Sequence, residues 1–193
     1  MTGLLLAAFP PELADLRDDP PPGWRMACTG IGALQAALAT AHLLEEHRPD
    51  RVIFLGTCGA YDDRLPLLSC LWASEAIATS LSEARREAYR PAPERVRWAA
   101  TLDHPRPDAW PLYPVAVPPA ITRTFEGAAL LAPLAPAEHL ELTGIFAACH
   151  QAQIPVGAAL TVANRVGPQA HDEWKNHHAQ ASRGLVEQLR PWL

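Results

Sequence analysis

The chain has 193 residues, 49% of them hydrophobic and 19% charged, with 16 basic against 21 acidic side chains and a formal net charge of −5. That length fits one domain over residues 1–193, burying about 70% of the surface that the unfolded chain exposes, so neither a disulfide nor a metal is needed to hold it. An acidic balance without a basic stripe excludes a nucleic-acid binder that relies on phosphate neutralisation, and tight binding to an anionic membrane is disfavoured for the same reason.

The elements follow in chain order. Residues 3–8 are a short apolar run stopped by Pro10-Pro11 and read as a buried strand. The run has no basic leader and is too short for an export signal or a membrane span. After the loop Asp18-Asp19-Pro20-Pro21-Pro22-Gly23, a strand is expected from Trp24 to Thr29, ending at the turn Gly30-Ile31-Gly32. Ala33 to His47 is helical by its Ala and Leu content and spacing, and His47-Arg48-Pro49-Asp50 stops it. Arg51 to Gly56 is a near-continuous apolar strand of the kind buried on both faces. A second glycine turn, Gly56-Thr57-Cys58-Gly59-Ala60, follows it. Strand, glycine turn, helix and strand predict an α/β fold with a mixed or parallel sheet.

Leu67 to Thr79 reads as one long strand or two short ones. Residues 91–119 hold eight of the 20 prolines, so only edge strands are expected there. An irregular stretch of that length is either functional or disordered. Helices are expected at Thr124–Leu131, Glu138–Gln153 and His171–Arg190, with a buried strand at Pro155–Val162. The last helix presents Trp174, Ala181, Leu185, Val186 and Leu189 as an apolar stripe. Cys28, Cys58, Cys70 and Cys149 form no Cys-x-x-Cys pair and read as reduced, mostly buried thiols of a cytoplasmic protein.

Three polar residues fall where strands end and helices begin, the place where open α/β sheets bind ligands. Glu12 follows the first strand; it is either a site carboxylate or a first-turn helix residue favoured by the macrodipole. Glu141 lies in the apolar helical segment Leu140-Glu141-Leu142-Thr143-Gly144-Ile145-Phe146, as a site residue or on an exposed face. Asn164 ends the late strand, as a site residue or a turn residue. The two glycine turns allow close backbone approach or simply a positive φ, and Gly30-Ile31-Gly32 matches neither the dinucleotide fingerprint nor a phosphate loop. His177 and His178 point about 100° apart on a helix, which favours a solvated face, with His171, over a metal site. Cys58 reads as a small buried thiol rather than a nucleophile.

Taken in order, five segments resemble the nucleoside phosphorylase/nucleosidase superfamily. They are Leu4-Leu5-Leu6-Ala7-Ala8-Phe9-Pro10-Pro11-Glu12-Leu13, Thr29-Gly30-Ile31-Gly32 with its Ala-rich helix, Val52-Ile53-Phe54-Leu55-Gly56-Thr57-Cys58-Gly59-Ala60-Tyr61, Glu138-His139-Leu140-Glu141, and Ala163-Asn164-Arg165-Val166-Gly167-Pro168 with Trp174 after it. The resemblance covers about residues 3–80 and 120–190. It is to the purine-nucleoside hydrolases, most of all the futalosine hydrolases of an alternative menaquinone pathway, and also the methylthioadenosine/S-adenosylhomocysteine nucleosidases.

The resemblance implies a central mixed, twisted sheet flanked by helices, usually in a homodimer or higher oligomer. It implies hydrolysis of the N-glycosidic bond of a purine nucleoside, with futalosine or aminodeoxyfutalosine as substrate, and no cofactor or metal. Glu12 would be the base acting on water, Glu141 would accept bonds from the ribose hydroxyls, and Asn164 would donate to the purine imidazole nitrogen. Leu140 would pack on the ribose in place of the family's Met. Gly30, Ile31, Thr57 and Cys58 would line the substrate cleft, and Phe125 would stack on the purine. Residues 9–13 lack the Gly and Arg with which the phosphorylases hold phosphate, which favours hydrolysis. The methylthioadenosine-type enzymes carry Asp where this chain has Asn164, and an amide can donate a hydrogen bond but not hand over a proton. The alternatives are a methylthioadenosine/S-adenosylhomocysteine nucleosidase and a nucleoside-binding relative without turnover.

Overall fold

The computed structural model describes residues 2–91, 94–102 and 106–193. The triple leucine of β1 (Gly3–Ala7) is fully buried, and the strand lies parallel to β2 (Trp24–Cys28) on one side and β3 (Arg51–Ala60) on the other. Alternate β1 residues feed two cores. Leu4 and Leu6 join Phe54, Ile145 and Phe146 on one face, whereas Leu5 and Ala7 join Ile53, Trp72, Leu185 and Leu189 on the other. A strand buried on both faces reads as an unbroken apolar run, which is why β1 and β3 were legible.

Beyond β3, the sheet is mixed and closes on itself. β8 (Val156–Arg165) runs parallel to β3 and antiparallel to the start of β4 (Cys70–Ala78). β6 (Leu112–Val117) runs parallel to β4, and the two-residue β7 (Ala137–Glu138) joins β6 to the far end of β3. Strands β3, β8, β4, β6 and β7 thus form a ring, flanked by β1 and β2 on one side and by β5 (Arg97–Ala99), antiparallel to β4, on the other. α1 (Ala33–His47) and α4 (Leu142–Gln151) pack on one face, α5 (Ala170–Leu189) covers the other, and α2 (Leu81–Ala84) and α3 (Phe125–Leu131) touch each other.

Four expectations are corrected. The second glycine turn is strand: β3 continues to Ala60 because β8 pairs with it as far as Arg165. Its glycines make room for side chains, since a Cβ at Gly56 would lie 2.7 Å from the Phe54 ring and 2.9 Å from His139 Nε2. The helix expected over Glu138–Gln153 begins only at Leu142, because residues 137–138 are drawn into the ring and His139 N–H donates to Ala116 O. Within the Pro-rich stretch β5 is an edge, but β6 is internal; its Pro114 is accommodated where the pairing with β4 shifts register between Ala73 and Glu75. Residues 92–93 and 103–105 of that stretch lie outside the described residues. Finally, β8 runs past the expected end at Val162 to Arg165, with Asn164 its penultimate residue.

A bulge in β8 decides where Asn164 points. Val162 opposes Cys58, but Asn164, not Ala163, opposes Gly59. One residue of slip moves a side chain to the opposite face of a sheet. Without the extra residue Asn164 would oppose Ala60, on the face away from Thr57 and Gly59.

Candidate active site

Glu12 reaches the site because β1 ends in a proline-punctuated turn. Phe9 is extended, Pro10 and Pro11 start a short 3-10 helix, Pro10–Arg17, and Glu12 falls in its first turn. The carboxylate turns inward and is 2% exposed. Oε2 accepts from Ala8 N–H at 3.1 Å, and Oε1 accepts from Thr57 N–H at 2.8 Å and the Thr57 hydroxyl at 2.9 Å. The Thr57 hydroxyl in turn accepts from Trp174 Nε1–H at 3.1 Å. Burial is the larger influence and pushes the Glu12 carboxyl up to about 7; the three donors oppose it, and the nearby Glu141 adds to it. The same position is therefore both the first-turn residue and the cavity carboxylate that the sequence allowed.

Glu141 comes from the other side of the ring, at the N-cap position of α4. It is 5% exposed and not on an exposed helix face. Its Oε1 accepts from Gly32 N–H at 2.7 Å. Gly32 has φ +90°, in the left-handed region open to glycine, and it presents that N–H just before α1 starts. His139 Nδ1 lies 3.1 Å from Glu141 Oε2 and accepts from Glu141 N–H at 3.2 Å. Burial holds the His139 imidazole below its usual range, and the neighbouring Glu141 opposes that shift.

Asn164 Nδ2 donates to Arg165 O at 3.0 Å, which orients the amide over Gly59. Opposite it, Glu138 accepts from Thr122 N–H at 3.1 Å and from the Tyr61 hydroxyl at 2.8 Å. Burial raises Glu138 despite those donors, and it also raises the Tyr61 phenol.

These groups converge on one cavity of about 430 Å³. Of the residues expected at the site, Glu12, Glu141, Asn164, Leu140, Ile31, Thr57 and Cys58 line it. Two do not. Gly30 lies behind the wall, its N–H bonded to Ala8 O. Phe125 begins α3 and is 68% exposed, its ring against Gly167 rather than in the cavity. Burial raises the Cys58 thiol well above its ordinary value, as suits a packed thiol and not a nucleophile. Cys70 and Cys149 are likewise buried, whereas Cys28 is exposed.

The aromatic and apolar walls come from places that sequence reasoning did not assign. Phe9 and Trp174 meet with ring centroids 5.9 Å apart, and Ile121 and His171 complete that side. His178 stacks on the outer face of Trp174 at 4.3 Å and His171 lies near it at 6.2 Å. His171 and His178 therefore brace an indole, His177 Nδ1 lies 3.2 Å from Ala163 O, and His171 borders the cavity rather than only solvent. Among the described residues, no three His, Cys, Asp or Glu side chains are grouped to hold a metal ion. Glu138 and His139 were visible in the resembling segment, and the signal for Glu138 lies in the pairing of β7 with β3, which no local pattern announces.

The arrangement is a mostly apolar cavity into which the carboxylates of Glu12, Glu138 and Glu141 and the amide of Asn164 are set. The family model for the phosphorylase superfamily matches residues 25–128, and the chain belongs to that superfamily. Among curated relatives, futalosine hydrolase from Streptomyces coelicolor is 28% identical over 195 residues, covering 90% of this chain and 81% of its own. Among solved structures, 5'-methylthioadenosine/S-adenosylhomocysteine nucleosidase from Helicobacter pylori superposes with a TM-score of 0.82 at 13% identity, covering 99% of this chain and 97% of its own. Futalosine hydrolase from Helicobacter pylori gives a TM-score of 0.82 at 13% identity, covering 98% and 96%. At that identity the two structures establish the fold.

Proposed function

We propose that the protein is a purine nucleoside N-ribohydrolase whose substrate is futalosine or aminodeoxyfutalosine, acting in menaquinone biosynthesis. The observation that carries this reading is the convergence of Glu12, Glu141 and Asn164 on one cavity, from three parts of the chain. The 28% identical futalosine hydrolase supports the substrate class.

Cleavage of the C1′–N9 bond leaves a ribosyl cation, and the departing purine gains electron density. Glu12, held near neutrality, takes a proton from the water whose oxygen bonds to C1′; a general base of this kind contributes about 10²–10⁴-fold. Glu141 accepts from the ribose hydroxyls with the lone pairs that Gly32 leaves unused. Its negative charge also favours the cationic sugar. Asn164 donates its second N–H to the purine N7. As an amide it cannot protonate the base, so the purine departs with its charge held by that bond and takes its proton from solvent.

A buried carboxylate at residue 12, in a cavity with no Lys or Arg among its described lining residues, favours water over phosphate as nucleophile. The test is release of free base from futalosine, aminodeoxyfutalosine, methylthioadenosine and inosine, with and without phosphate. Base release without phosphate is expected. Dependence on phosphate overturns the hydrolytic step, and saturable binding with no base released overturns turnover.

We further propose that the protein works as a homodimer in the cytoplasm. Ile31, Leu34 and Leu38 are 66%, 76% and 64% exposed along one face at the start of α1, and Ile31 also borders the cavity. A second copy covering that face would close the cavity mouth. Buried free thiols accord with a reducing compartment, and none of the described helices is long and apolar enough to cross a membrane.

A further inference from the structure

The indole N–H of Trp174 is bonded into the group that holds Glu12, a contact to which the hydrolytic reading gives no task. The donors on the Glu12 carboxylate are unevenly divided. Oε1 takes two, the Thr57 N–H at 2.8 Å and the Thr57 hydroxyl at 2.9 Å. Oε2 takes one, the Ala8 N–H at 3.1 Å. A carboxylate offers about four acceptor sites, two on each oxygen, so the unused one lies on Oε2. A proton on Oε1 would weaken two bonds, and a proton on Oε2 only one.

Trp174 fixes the second of the Oε1 donors. Its Nε1–H donates to the Thr57 oxygen at 3.1 Å, and an indole N–H has no acceptor role to exchange. The bonds from Trp174 through Thr57 to Glu12 therefore run one way while Glu12 is ionised. A hydroxyl that accepts a bond becomes a better donor by mutual polarisation, and the gain is largest toward a charged acceptor. The indole is itself held, with the Phe9 ring 5.9 Å away and His178 stacked on it at 4.3 Å.

Ionisable groups reach this region from several elements. Glu141, at the start of α4, opposes ionisation of Glu12. Glu138 and His171 line the same cavity, and burial holds His139, beside Glu141, below its usual range. The thiols of Cys28 on β2 and Cys58 on β3 are raised by loss of solvent and, to a lesser degree, by Glu12 itself. None of these groups is a donor to Glu12, whereas the indole acts on it through one intervening hydroxyl. We propose that Trp174 is a positioning residue for the hydrolysis: through the Thr57 hydroxyl, its indole N–H favours ionised Glu12 and leaves Oε2 as the oxygen that takes the proton from water. The inference rests on the hydrolase reading for the presence of that water.

Trp174→Phe keeps a ring in the cavity wall and removes the N–H. The midpoint of Glu12 ionisation can be followed by carbon-13 NMR of the glutamate δ-carbon, assigned by its loss in Glu12→Gln. In Trp174→Phe that midpoint should rise by about 0.5 pH unit, and the acid limb of kcat/KM should move up with it. Thr57→Val should raise the midpoint by about one pH unit, and adding Trp174→Phe to it should raise it no further. A purely packing role for the indole would raise KM at every pH and leave the midpoint in place. Water admitted beside the smaller ring would lower it. An unmoved or lowered midpoint in Trp174→Phe therefore overturns the proposal, as does an equal further rise in the double variant. A second measurement leaves Trp174 intact. In the wild type one of the six indole N–H signals should shift with the Glu12 midpoint, and in Thr57→Val none should. Wild-type indole signals that all ignore that midpoint overturn the proposal. If the midpoints move as expected but no nucleoside is cleaved, the hydrolase reading fails and the chain of bonds stands. If nucleoside is cleaved and the midpoints do not move, the reverse holds.

Discussion

Three donors converge on the Glu12 carboxylate, and burial still holds it near 7. A buried acid whose pKa is raised makes folding favour the protonated form. The stability it confers is greatest below its unfolded value of 4.5 and falls as pH rises through 7. Glu12→Gln removes that dependence, so its stability relative to the wild type should increase by about 3 kcal/mol between pH 4.5 and pH 8, read from urea titrations at each pH. The same substitution should lower kcat at least about 10²-fold with little change in substrate binding. Wild-type kcat/KM should fall tenfold per pH unit below about 7, and the residual rate of the variant should not. Unchanged turnover in the variant, or a flat wild-type profile down to pH 5, removes Glu12 from the chemistry.

The contact of α1 with α4 couples packing to the site. A Cβ on Gly144 would fall 2.0 Å from Ala33 O and 2.9 Å from Ala37 N, so the backbones touch where glycine alone fits. Gly32 N–H, which holds Glu141, lies one residue before α1 begins. Gly144→Ala should destabilise the protein by about 1–3 kcal/mol and raise KM by displacing Gly32 from Glu141, while the pH profile set by Glu12 stays in place. A KM equal to that of the wild type would show that the two helices are not coupled to the carboxylate. The elements that local pattern specifies were legible: the Ala/Leu spacing of α1, the leucines of β1, the stripe of α5. Those that partners specify were not. Gly56 and Gly59 resemble a turn until β8 is laid beside them, and residues 137–138 look helical until the ring claims them. The site divides in the same way. Glu12, Glu141 and Asn164 stood out as polar residues after apolar runs. The cavity wall did not, because Ile121 and Glu138 are assigned by the path of the chain between β6 and α4 and by pairing across β3.

On the scale of the molecule, the start of α1 leaves the apolar side chains of Leu34 and Leu38 exposed, with Ile31 just before them. Leu34 and Leu38 lie on α1 and Ile31, just before it, borders the cavity, so in the proposed dimer assembly and substrate binding would share Ile31. Sedimentation equilibrium should give twice the chain mass for the wild type. The double variant Leu34→Glu, Leu38→Glu should give the single-chain mass together with a raised KM. A monomeric wild type with full activity contradicts the proposed dimer.

The central place of β8 also shapes how the chain comes into being. This strand bonds to β3 and β4 together, yet it lies downstream of every other strand of the sheet. On the ribosome the apolar flanks of β3 and β4 stay uncovered until residue 165 has emerged, well after both strands have been made. Open strand edges of this kind invite pairing with neighbouring chains. The closing of the sheet therefore waits on the last strand to be made, whatever order the earlier strands pair in.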